Sequence, residues 1–281
     1  MHTVTRFFSA CIIIILLLFG ATWWYNNHQI AGITTEVKAT SDAKGAASSI
    51  PTIDEAALST AINSILGSKK TLDASVSITD LQTGKTYHYG DDAAYTAASV
   101  GKLVTTAAYL HKVELGQLQM TGTEKTYIQK MLVNSDNEAW HNLEAILTLD
   151  VQQAYGTEIG MTSYHAEDNI MTSDDISVLL TKLARYRLLN NADTDMVLGY
   201  LNQANYRNYI VAAVPSGVEV YHKVGFLSDR LHDVAIIKKG DRSYVLSIFS
   251  KSSGTYDFSA GSTYFKNITD ATLKVFFGIN Q

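Results

Sequence analysis

The sequence predicts an α/β (α+β) fold: an antiparallel sheet assembled from two separated segments and flanked by terminal helices, with an all-helical subdomain between the segments. Three observations carry this. Strand-type patterning occurs over residues 74–79 and 86–89, and again in three runs, 218–223, 233–238 and 243–250. Between those stretches, from Ser99 to Leu189, apolar residues recur at helical spacing. Amphipathic patterns of helical period open and close the folded part.

Taken in order, Phe7 to Tyr25 is uncharged and almost wholly apolar. Arg6 precedes it, and Trp23, Trp24 and Tyr25 follow. A cation inside and aromatics at the outer interface predict a membrane anchor over residues 1–25, with a cleaved signal segment as the alternative. Either way the rest of the chain is expected outside the cytoplasm. Asn26 to Ile50, rich in Ala, Ser, Thr and Gly, reads as a flexible linker. The domain is expected over residues 51–281.

Pro51 to Glu55 has a capping-box pattern, with Thr52 as N-cap and Glu55 three residues on. The helix should run to about Leu66 and stop at Gly67. Ala74 to Thr79 and Thr86 to Tyr89 alternate as strands around the turn Gln82-Thr83-Gly84-Lys85. Helices are predicted over Ser99–Leu115, Thr126–Leu132, Glu138–Leu149 and Ser173–Leu189, giving a helical subdomain at about 97–214. After Pro215-Ser216-Gly217, Val218–Lys223, Asp233–Lys238 and Ser243–Ser250 read as consecutive antiparallel strands, with Gly240-Asp241 making a tight turn. Thr263–Phe277 closes the chain as a helix. A cleft between sheet and helices is the expected ligand site.

Composition excludes several classes. The 281 residues are 46% hydrophobic and 17% charged, enough for a substantial core. A net charge of -5 without a basic block excludes a nucleic-acid partner. Cys11 is the only cysteine, so no disulfide framework is expected. The eight histidines are scattered without H-E-x-x-H, so no metal is expected. A monomer is expected.

Three short stretches carry chemistry: Ser99-Val100-Gly101-Lys102, Ser135-Asp136-Asn137 and His222-Lys223-Val224-Gly225. Taken alone, Ser99 and Lys102 read first as an N-cap serine and a solvated lysine. Ser41-Asp42-Ala43-Lys44 has the same spacing in the linker. Ser99 differs by opening a strongly amphipathic helix, where backbone N–H groups are free and the dipole favours an oxyanion. Lys102, on the same helical face, can act as base if it is desolvated. Ser135 can relay a proton and Asn137 can bond a substrate amide, although Ser-Asp-Asn is also good capping chemistry. Lys223, near the end of a strand, can attract a carboxylate, and Gly225 permits close approach. The N–H of Phe226 would be a second oxyanion donor.

Together these motifs match S-x-x-K, S-D-N and a variant of K-T-G. From about Thr52 to the C-terminus the chain resembles the serine β-lactamase-like superfamily, nearest its class A branch. The likeness extends to Tyr95 through Lys102, Asn134 through Ala139, Val214 through Gly217 and Leu231 through Ala235. It implies an acyl-enzyme on Ser99, with Lys102 and Ser135 catalytic. It also implies that Asn137, Lys223, Gly225 and Phe226 bind substrate, with no cofactor or metal. A bacterial cell-envelope location follows.

Two departures matter. The E-x-x-L-N motif, whose glutamate activates the deacylating water, is absent. Glu158 and Glu167 lie in the corresponding region as candidate bases. Val224 replaces the threonine hydroxyl expected to grip a substrate carboxylate, and Arg230 and Arg242 are the candidates to compensate. The expected function is a β-lactamase-like serine hydrolase acting on β-lactams or related amides. The alternatives are a cell-wall D,D-peptidase or transpeptidase acting on peptidoglycan peptides, or a catalytically silent wall-binding domain.

Overall fold

The computed structural model describes residues 52–68 and 71–280; the anchor and linker expected over residues 1–50 lie outside them. Helix α1 (Glu55–Gly67) is capped by Asp54, whose carboxylate accepts the Ala57 N–H at 2.9 Å. The cap therefore falls two residues after Thr52. Glu55, expected to close a box with Thr52, instead reaches Lys85 at 2.6 Å on the neighbouring hairpin. That hairpin is β1 (Leu72–Asp80) and β2 (Thr86–Gly90).

A short strand β3 (Tyr95–Thr96) leads through a 3-10 turn (Ala98–Val100) into α2 (Lys102–Glu114). Next come α3 (Gly122–Asn134), α4 (Asn137–Leu147) and α5 (Leu149–Glu158). Strand β4 (Ile170–Met171) pairs with β3, and α6 (Ser173–Ala184) and α7 (Asn191–Asn202) complete the helical part. The chain then forms β5 (Glu219–Leu227), β6 (Arg230–Lys239), β7 (Arg242–Ser252) and α8 (Phe258–Phe277).

Several boundaries depart from the sequence reading for local reasons. Helix α3 starts a turn early because Thr121 and Glu124 form a capping box. The segment expected as one helix over Glu138–Leu149 breaks at Thr148, whose φ is 65°, and restarts as α5. Helix α7 was not expected; Asn190 starts it by accepting the Asp193 N–H at 2.9 Å.

The main sheet is antiparallel in the order β2-β1-β7-β6-β5. Side chains alternate between its faces and build two cores. Val76, Ile78, Leu246 and Ile248 meet Leu58 and Ile62 of α1 and Phe265 and Ile268 of α8. Val234, Ile236, Val245 and Phe249 share the other core with α2, α6 and the remaining helices. Helix α2 is buried continuously from Lys102 to Leu110. A helix enclosed in this way fixes its first turn, and with it Ser99, against the sheet. Among the described residues no helix is long and apolar enough to cross a membrane.

Candidate active site

Ser99 lies within the 3-10 turn rather than at the first position of α2, so Lys102 is the first residue of the α-helix. The turn is strained: Ala98 has φ 50°, a left-handed conformation rare for a residue with a Cβ. Asn169, from the segment between α5 and β4, holds it in place. Its carbonyl accepts the Ala97 N–H at 2.7 Å, and its Nδ2 donates to the Ala98 carbonyl at 2.9 Å. A side chain at Gly101 would collide with Asn169. From the sheet side, His232 Nε2 lies 3.1 Å from the Thr96 carbonyl, while its Nδ1 accepts the Ser250 N–H at 3.3 Å. Burial pushes the His232 pKa down to about 4, so the ring is neutral and acts as a fixed strut.

Lys102 Nζ lies 3.0 Å from Ser99 Oγ and 2.8 Å from Asn137 Oδ1. The lysine is fully buried, and the ring centroid of Trp140 is 4.0 Å from its nitrogen. Trp140 is fixed in turn by donating to Thr105 Oγ1 at 2.9 Å. Burial pushes the Lys102 amine down to about 8, against the pull of the Glu144 and Asp136 carboxylates. A neutral amine can donate to Asn137 and offer its lone pair to the Ser99 proton.

Ser135 caps α3 in the left-handed conformation, φ 59° and ψ 29°. Asp136 then caps α4 by accepting the Ala139 N–H at 2.7 Å. This corner turns Ser135 toward the sheet, where Lys223 Nζ donates to its hydroxyl. Lys223 is 2% exposed. Burial pushes its amine down to about 7, repulsion from Lys102 adds to the shift, and Asp233 opposes it. On the other side of β5, His222 Nδ1 is 3.1 Å from Asp233 Oδ1, and Asp233 also accepts the Ile210 N–H at 3.0 Å. This buried contact ties the lysine strand to β6.

Gly225 serves a closer purpose than substrate access. A Cβ there would lie 2.6 Å from the Ala97 carbonyl oxygen and 3.0 Å from the Ser99 nitrogen. The strand is thus in contact with the turn bearing Ser99. Phe226, the next residue, is exposed at the edge of the sheet.

The structure therefore brings together Ser99, Lys102, Ser135, Asn137, Lys223 and Gly225. Among the described residues neither candidate carboxylate, Glu158 or Glu167, is hydrogen-bonded to any of these side chains. Glu158 lies 3.8 Å from His111, near the far end of α2 from Ser99, and Glu167 is exposed on a separate cavity with Asp150 and Gln153. Among the described residues no carboxylate bonds Ser99 Oγ, whose hydrogen-bond partner is Lys102. Asn169 is the only asparagine between α5 and β4. Counting back four positions along E-x-x-L-N from it reaches His165, an exposed imidazole. His165 and Ile170 close the neck of this loop through paired backbone bonds of 2.8 and 3.0 Å.

The arginines considered for substrate binding are engaged elsewhere. Arg230 forks onto Asp229 at 2.8 and 2.7 Å at the hairpin tip, while Arg242 lies 3.9 Å from Asp80. Val224 is 2% exposed and packs in the core shared with the terminal helices, with the buried Asp233 directly across the strand pair, so a hydroxyl at that position would be buried. The sequence assigns no role to Asn169 or Trp140, and His232 enters it only within the Leu231–Ala235 likeness; an Asp-Asn pair in a loop, able to adopt left-handed backbone, is the one signal for the first. Among the described residues no cluster of His, Cys, Asp or Glu is arranged to hold a metal.

A family model described as the beta-lactamase enzyme family matches residues 57–126 and 123–276. Among solved structures, PBP-A superposes with a TM-score of 0.72 at 18% identity, covering 79% of this chain and 96% of that one. A PBP-A mutant, solved as its acyl-enzyme complex with penicillin G, gives 0.73 at 17%, covering 80% and 98%. A β-lactamase from Sphaerobacter thermophilus gives 0.71 at 19%, covering 81% and 99%. At these identities the likeness is one of fold. No curated protein sequence matches the chain.

Proposed function

This chain belongs to the beta-lactamase enzyme family, and from that premise we propose that Ser99 is acylated by β-lactams and that the acyl-enzyme is long-lived. The observation that carries the first half is the 3.0 Å separation of Lys102 Nζ and Ser99 Oγ, with the amine desolvated. Ser99 Oγ attacks the lactam carbonyl and its proton passes to Lys102. The N–H groups of Ser99 and Phe226 receive the oxyanion. As the C–N bond breaks, Ser135, bonded to Lys223, relays a proton to the departing nitrogen. Lys223 supplies positive charge for the substrate carboxylate, and Asn137 bonds the substrate amide. The penicillin G acyl-enzyme of the PBP-A mutant, which shares this fold, supports the same step here.

The second half rests on the missing E-x-x-L-N glutamate: among the described residues neither Glu158 nor Glu167 is hydrogen-bonded to the site of Ser99. Without a carboxylate base for water, the ester on Ser99 should hydrolyse slowly. The same gap favours a second reading, in which an amine of a cell-wall peptide is the natural acceptor. The apolar run at residues 7–25 supports a site outside the cytoplasm. The test is to mix the full chain with penicillin G and follow intact mass. An adduct lasting for hours on the wild type and missing from Ser99→Ala is expected. Rapid loss of the adduct would overturn slow deacylation, and no adduct at all would overturn the acylation itself.

A further inference from the structure

A cavity of about 530 Å³ lies between α6 and the β1–β2 hairpin, with Thr79 and Thr86 on one wall and Thr181 and Val178 on the other. The main sheet places β2 and β5 at opposite edges, four strand spacings apart, or about 19 Å. The cavity is therefore separate from the site on β5. Lys182, Arg185 and Arg187 line it. The one carboxylate in its wall, Asp174, has Oδ2 3.0 Å from His88 Nδ1, and its Oδ1 is buried without a hydrogen-bond partner. Among the described residues, no ion pair engages any of the three cations. Arg185 directs one N–H to the Leu81 carbonyl at 2.9 Å and keeps the rest of its fork. Thr181 Oγ1 is buried and has no hydrogen-bond partner.

A cation in the last turn or at the C-cap of α6 suits the helix dipole, which accounts for Lys182 and Arg185. It does not account for Arg187, for the unused N–H groups of Arg185 or for an orphaned hydroxyl on the same wall. We propose that this cavity binds a phosphate-bearing small molecule, with Lys182, Arg185 and Arg187 around the phosphate and the Thr181 hydroxyl as a further donor. A carboxylate, with two oxygens and one charge, leaves some of these donors unmet. A phosphate offers more oxygens and up to two charges, and arginine forks match its geometry. The cavity is larger than one phosphate, so the organic body lies along Val178.

Titration calorimetry on the full chain at fixed ionic strength tests this, with inorganic phosphate, glycerol 3-phosphate and acetate as probes. Saturable one-to-one binding of at least one phosphate probe is expected, with acetate at least tenfold weaker. Binding of inorganic phosphate as tightly as glycerol 3-phosphate identifies the free ion as sufficient; tighter binding of the ester shows that the body contributes. The double variant Lys182→Gln/Arg187→Gln, which breaks no hydrogen bond of the fold, should weaken binding at least tenfold and leave acylation of Ser99 unchanged. Arg185→Gln should act in the same direction. No saturable binding of either phosphate probe, equal binding of acetate, or undiminished affinity in the double variant would overturn the proposal.

Discussion

Gly225 is seated against Ala97: a methyl group on the glycine would come within 2.6 Å of the alanine carbonyl oxygen. The strand bearing Lys223 and the turn bearing Ser99 are thus one packed unit. Gly225→Ala must push them apart, because neither the strand backbone nor the turn backbone is a flexible side-chain end. A loss of about 1–3 kcal/mol of stability is expected from the overpacking. The acylation rate should fall by at least about 100-fold, since a shift near 1 Å at a reacting atom is enough for that. Thermal melts and time-resolved intact mass measure the two effects. A variant acylated at the wild-type rate would show that the contact is not needed for the chemistry.

Lys102 has a pH signature whose sign is fixed by its burial. Its folded pKa of about 8 lies below the value of ~10.4 expected in the unfolded chain. Between these values the unfolded state binds more protons, so stability rises with pH across that window. Below pH 8 the folded state carries the full cost of a buried ammonium. Lys102→Met removes this cost and should stabilise the protein by about 1–3 kcal/mol at pH 6, with the gain shrinking toward pH 10. The same variant should lose acylation. In the wild type, acylation should rise as Lys102 loses its proton toward pH 8 and fall as Lys223 loses, from about pH 7, the charge that attracts the substrate carboxylate, so the profile should peak between about 7 and 8. Denaturant melts at several pH values check the first claim, and a gain independent of pH would contradict it.

The sheet, the helical middle and the three motifs were legible because each is a local pattern. Period-two alternation marks Ala74–Thr79 inside β1, and one helical turn separates Ser99 from Lys102. What was not legible depends on contacts between distant segments. Asn169 meets Ala98 across 71 residues, and His232 meets Thr96 across 136. No local spacing encodes either bond. The left-handed turn at Ser135 was hidden for a related reason: it is held by what Lys223 donates from the sheet. The cap of α1 moved to Asp54 because a tertiary partner, Lys85, claimed Glu55.

Val224 tests a reading that the structure revised. The sequence suggested that restoring a threonine would add a grip on substrate. Because the side chain is 2% exposed within the apolar core, Val224→Thr instead buries a hydroxyl. A loss of about 1–2 kcal/mol is expected, with no gain in acylation rate. Faster acylation at unchanged melting temperature would show that position 224 does reach the substrate.

His165 offers the sharpest test of why the acyl-enzyme should persist. Asn169 fixes the loop against the turn that carries Ser99, and four residues before it the chain presents an exposed imidazole where E-x-x-L-N presents a carboxylate. His165→Glu supplies a base without altering Ser99, Lys102 or Lys223. The expected outcome is a penicilloyl adduct that disappears at least about tenfold faster than in the wild type, which is the lower range for a positioned general base. The acylation rate should stay the same. His165→Gln, which has a similar reach but cannot take up a proton, should leave the adduct as long-lived as in the wild type. Equal acceleration by glutamine would assign the effect to water access rather than to base catalysis, and an unchanged lifetime with glutamate would place the missing base elsewhere than position 165.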